Sequence, residues 1–185
     1  AESEAHTGKK ELIEQFEILK LIKKTLEEGK TTAQFNDKPI MKELQLLTSK
    51  PIVYLLNGSE VDVPSNLLDV IKKEGSSYVV LDIVNNPDFN VLIKEAYRVL
   101  NLMSFLTTGE DETRAWTTRI GSYAPEAAGV IHTDFQKKFI RAEAINWQKL
   151  LEAGSWSGAK SKGWLRLEGK DYVVRDGDVL VIRHG

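Results

Sequence analysis

Cysteine is absent from this 185-residue chain, which excludes disulfides and thiolate metal sites and suits an intracellular protein. An excess of charge of one sign is lacking too, with 25 basic residues against 27 acidic ones. No overall field therefore draws the chain onto DNA or an anionic membrane, and any nucleic-acid contact has to come from a local patch. No run approaches the roughly 18 apolar residues of a membrane span, and the polar start AESEAHTGKKE has no signal-peptide core. The first residue, Ala1 rather than Met, fits a processed, proteolysed or truncated product.

Two nucleotide signatures are also missing: GxxxxGK followed by Ser or Thr, and DxxG, match at no position. Gly29-Lys30-Thr31 spells the end of a P-loop, but Lys24 stands where its first glycine belongs. An amphipathic helix precedes it, where a P-loop needs a strand feeding a glycine-rich turn so that backbone N–H groups can point at phosphate. Gly29 is therefore read as a helix stop.

What is present is enough for one or two domains, with 42% hydrophobic residues. Apolar residues from Leu12 to Leu26 keep a helical period, and 40–48 reads as a second, short helix. PIVYLL (51–56) and SYVVLDI (77–83) are continuous apolar runs, the pattern of buried parallel strands, and a helix over 64–73 between them makes a βαβ unit. A long helix is expected over 90–106, then a polar break at TTGEDE (107–112) taken as the domain boundary. Beyond it, strands are expected over 113–119, 140–145 and 178–183 and an extended stretch over 164–167, with helices over 125–131 and 147–153. This is a small α+β sheet. Trp116, Trp147, Trp156 and Trp164 read as packing residues rather than base-stacking platforms.

The string RAWTTRIGSYAPEAAGVIHTDF from Arg114 to Phe135, with FIRAE, LEGKDYVV and DGD after it, resembles the C-terminal TGS domain of the YchF/Obg-like ATPases over about Phe105 to Gly185. The resemblance implies an α/β chain: residues 1–48 a helical arm segment, 49–106 the C-terminal part of a P-loop NTPase-like domain, and 107–185 a β-grasp (ubiquitin-like) TGS domain. It also implies that Asn57-Gly58-Ser59-Glu60 is the NxxE form of a base-recognition loop, with Asn57, Gly58 and Glu60 at adenine. Read from the residues alone, Asn57-Gly58 is a turn after a strand. Asp82-Ile83 stands where the family has a small Ser-Ala pair, which would narrow the base pocket and add negative charge. Lys138 stands where the family commonly has glycine.

ATP and Mg²⁺ are implied for the intact parent, a hydrolase that binds ATP or GTP, and no tightly bound cofactor is expected for this chain alone. The implied partners are the ribosome or RNA, met through Arg114, Arg119, Lys137, Lys138 and Arg141 if these converge to position phosphates; a solvated charged face is the other reading. No membrane partner and no DNA specificity are expected, and the implied compartment is cytoplasmic, with mitochondrial as the alternative. His132, Thr133 and Asp134 have no nucleophile, base or second histidine at catalytic or metal spacing, so no catalytic or metal residue is assigned. The alternative function is a stand-alone, divergent TGS interaction protein without nucleotide-dependent activity.

Overall fold

A computed structural model describes residues 10–85, 88–109 and 111–185, and the chain divides into two compact units, residues 1–99 and 100–185. In the first, α1 (Lys10–Glu27) places Ile22 in the interior and ends where the Gly29 N–H donates to the Leu26 carbonyl at 2.9 Å. The second helix, α2 (Ile40–Leu44), is shorter than the 40–48 expected. Gln45 turns left-handed at φ +47° and breaks it, and a single 3-10 turn, Leu47–Ser49, follows. The fully buried Thr32 ties this segment together through its N–H on the Thr48 carbonyl and a 3.0 Å contact between the two threonine hydroxyls.

Strand β1 (Val53–Asn57), helix α3 (Ser65–Lys73) and strand β2 (Ser77–Leu81) form the expected βαβ unit, its strands parallel and registered from Val53 opposite Ser77 to Asn57 opposite Leu81. Helix α4 (Phe89–Val99) then stops seven residues short of the expected end, because Asn101 adopts φ +56°. Leu102–Thr108 is instead strand β3, whose partners lie on both sides. Expected as the end of a helix, this stretch becomes a strand because pairing outweighs a short apolar spacing that fits either period.

The second unit continues with β4 (Thr113–Arg119), α5 (Ala124–Ile131), α6 (Thr133–Lys137), β5 (Phe139–Asn146), α7 (Trp147–Ala153), α8 (Trp156–Ser161), β6 (Arg166–Glu168) and β7 (Asp178–His184). They make a five-stranded mixed sheet in the order β4-β3-β7-β5-β6. β3 and β7 are parallel at its centre, and the other neighbours are antiparallel. Of the polar stretch 107–112 at which the sequence drew its boundary, Thr107 and Thr108 close β3 and Glu110 lies outside the described residues; the compact units divide between 99 and 100.

One sheet face packs Met103, Phe105, Ala142, Ala144 and Leu180 against the fully buried Ala124, Ala127 and Ala128 of α5. Alanines there let the helix lie close to the sheet. On the other face Ile145 and Val179 are covered by α7 and α8, with Ala159, Trp156 and Trp164. Because Phe105 and Met103 sit on β3, a fragment of residues 100–185 is expected to unfold cooperatively in urea. A fragment of residues 110–185 is expected to lack that transition; equal transitions would remove β3 from the core of this unit.

Candidate functional site

In the first unit the two loops that follow β1 and β2 are stapled together. The Asn57 Oδ1 accepts the Ile83 N–H at 3.2 Å, and the Gly58 N–H donates to the Leu81 carbonyl at 3.3 Å. Gly58 has φ +146°, a conformation that favours glycine. Ser59 then opens a 3-10 turn, Glu60–Asp62, its hydroxyl donating to Asp62 Oδ2 at 2.5 Å and its N–H donating to the same oxygen at 3.3 Å. The exposed Glu60 lines one side of an open cleft of about 430 Å³. Tyr78, Val80, Lys94, Glu95 and Arg98 line its other walls. There the Arg98 guanidinium, and next the Ser77 hydroxyl, hold the Glu95 carboxyl down at about 2.

With Oδ1 engaged, the Asn57 amide has its Nδ2 to offer as a donor, and Glu60 is an acceptor three residues on. A donor and an acceptor of these types match the N7 acceptor and N6 amine of adenine. The Asp82 carboxylate is consumed locally. It accepts the N–H groups of Val84 and Asn85 and the Asn85 side-chain amide at 2.8–3.0 Å, and these bonds, led by the Asn85 N–H, hold it below the usual carboxylate range. The bulk expected beside the base is therefore that of Ile83, 40% exposed.

The five basic candidates of the second unit do not share one face. Arg114 lies over the Trp116 ring at 4.2 Å, and Trp116 packs on the α5 side and donates its Nε1–H to Thr107 Oγ1 at 2.9 Å. By strand alternation Arg119 takes the opposite face, at the far end of β4. Lys137 ends α6, and Lys138 follows it as the C-cap, its carbonyl accepting the Gly185 N–H at 3.1 Å. Arg141 sits opposite Arg183 across β5 and β7, on the face away from Ala142 and Ala144.

Arg183 was not among the sequence candidates. Its neighbours carried a signal, because alternation in VLVIRH sets Arg183 on the opposite face from the core residues Leu180 and Ile182. It donates from Nε and Nη2 to Glu143 Oε1 at 3.2 and 3.0 Å. His132 has a structural task, its Nδ1 accepting the Asp134 N–H at 3.2 Å to cap α6. Among the described residues no group of three or more His, Asp or Glu side chains is placed to hold a metal ion, and no helix is long and apolar enough to cross a membrane.

The family model YchF-GTPase_C, described as a protein of unknown function (DUF933), matches residues 102–185. The chain is 38% identical to the ribosome-binding ATPase YchF of Bacillus subtilis, with 94% of this chain and 57% of that protein aligned. It is 35% identical to Obg-like ATPase 1 of Caenorhabditis elegans over 91% of this chain and 51% of that protein. The solved structure of the Schizosaccharomyces pombe YchF GTPase superposes with a TM-score of 0.71 at 30% identity, covering 92% of this chain and 54% of that one. The chain thus spans about half the length of the relatives it matches. Similarity that runs through both units, in sequence and in fold alike, makes this chain a member of the YchF/Obg-like ATPase family, matching the C-terminal part of its relatives.

Proposed function

We propose that the chain is the C-terminal portion of a YchF-like ribosome-binding ATPase, in which residues 100–185 are a TGS-type β-grasp module that docks the protein on the ribosome while residues 57–60 read the nucleotide base. The observation that carries this is the continuous match through both units to proteins named ribosome-binding ATPase. The sheet order, with a parallel pair at the centre and α5 across one face, supports the β-grasp reading.

ATP, when bound, supplies the phosphoanhydride whose hydrolysis drives a conformational switch. In this proposal the chain's own part is to hold the base: Asn57 keeps the two loops joined, Gly58 lets the backbone pass close, and Glu60 accepts from the adenine amine. The residues that cradle phosphate and Mg²⁺ are assigned to the rest of the parent, since GxxxxGK followed by Ser or Thr occurs nowhere in these residues. A cytoplasmic setting goes with the ribosomal partner.

The test is co-sedimentation of the full chain with purified ribosomes. The expected result is a pelleted fraction that saturates with ribosome concentration. A chain that stays in the supernatant at low salt would overturn the docking role.

A further inference from the structure

On the sheet face away from α5, the register lines up Arg141 with Arg183, and Glu143 with Val181 on one side and Leu167 on the other. Helix α8 borders this surface and closes an open pocket of about 310 Å³, lined by Trp156, Lys160, Leu165, Val181, Glu143 and Arg183. Lys160 and Arg183 thus line the same pocket as Glu143, whose carboxylate Arg183 already uses, and Arg141 stands beside them opposite Arg183. Arg141 and Lys160 are exposed, as is 54% of the Arg183 side chain. Between the charges lies an apolar floor, with the partly buried Trp156 in its wall.

We propose that this face is a docking site for a single strand of RNA, with Arg141, Arg183 and Lys160 on successive phosphates and an unstacked base in the pocket beside Trp156. The inference rests on the ribosome docking proposed above and deepens it. A single strand is favoured because a pocket with an aromatic wall takes an unpaired base, whereas a duplex presents only its phosphates and groove edges. A basic rim around an apolar floor is also the arrangement by which sequence-tolerant single-strand binders work: the charges follow the backbone and the floor takes the bases. Glu143 sets the strength of the site, since it competes with phosphate for Arg183.

The experiment uses the full chain and a labelled single-stranded oligoribonucleotide of about ten nucleotides, followed by anisotropy through a salt series. The double variant Arg141→Ala, Lys160→Ala is expected to bind roughly a hundredfold more weakly at low salt, and to flatten the log–log salt slope by about 1.4, because each cation on a single strand accounts for about 0.7. Glu143→Gln should act in the opposite direction, tightening binding severalfold and steepening the slope by about 0.7 as Arg183 is released to phosphate. A structural ion pair would not produce that gain. The charge-preserving Arg141→Lys should restore most of the affinity lost in Arg141→Ala, which guards against a folding artefact.

Identical salt slopes for wild type and double variant would overturn the site, as would a Glu143→Gln chain that binds no better, or equal affinity for duplex RNA. Ribosome co-sedimentation separates this inference from the reading beneath it. If the chain sediments and the double variant sediments equally, the site is wrong and ribosome docking stands. If the chain does not sediment but binds the oligonucleotide through these cations, the docking role falls and the site stands.

Discussion

Replacing Phe105 by alanine is expected to destabilise residues 100–185 by about 3–5 kcal/mol, the range for deleting a buried aromatic ring. Phe105 is fully buried at the centre of the sheet, facing Trp116 on β4 and packed with Met103, Ala142 and Leu180 against α5. The helix face opposite is built of alanines, which have no side-chain length with which to refill the space. A unit of this size has about 5–10 kcal/mol in total, so the variant would be near unfolding at 37 °C. All four tryptophans lie beyond residue 100, so their fluorescence follows this unit alone. Urea denaturation read by tryptophan should show the midpoint collapse with little change in slope. A loss below about 1 kcal/mol would place Phe105 outside the core.

Asp178→Ala is expected to cost about 3 kcal/mol, in the range for removing one partner from a buried charged network. Asp178 is 2% exposed and opens β7. Its Oδ2 accepts the Tyr172 hydroxyl at 2.6 Å and the Arg175 N–H at 3.0 Å, while Oδ1 accepts from Arg166 Nη2 at 3.2 Å. Arg166 also donates to the Tyr172 oxygen and to Glu168, so one carboxylate holds the loop between β6 and β7 against the sheet. Removing it leaves a hydroxyl and a guanidinium with too few acceptors, whereas Asp178→Asn keeps the shape and should lose roughly half as much.

The same network has a pH signature. Burial, and next the bond to Asp178, push the Tyr172 hydroxyl up to about 12, against about 10 in the unfolded chain. The native state therefore keeps a proton that the unfolded state has lost between those values, so this contribution is intact below pH 10 and declines as pH rises from 10 to 12. In Asp178→Ala the decline should shrink, because burial alone remains. A thermal-melt series across that pH range reads it, and an unchanged alkaline limb would detach Asp178 from Tyr172.

Local signals in the sequence were sufficient for β1, β2 and the helix between them, for the stop at Gly29, and for the motifs that carry the family. These are decided within a few residues: apolar runs, a glycine cap, and turn residues such as those before β7. There Gly177, at φ +76°, passes so close beneath Trp147 that a Cβ would come within 2.7 Å of its ring. The turn at Asn57-Gly58 after β1 was legible for the same reason. The short segment at Leu102–Thr108 was not, since Leu100 and Met103 fit a helical spacing as well as a strand. Only the pairing of Leu106 with Ala115 on one side and Val179 on the other selects the strand. Nor could residue type tell which cations meet. Side-chain direction in a strand reverses at each residue, so the face that Arg141 occupies, and its place opposite Arg183, depends on the register between β5 and β7. That register is set by the burial of Ala142, Ala144 and Leu180 under α5, a contact among segments far apart in the chain that no local pattern encodes.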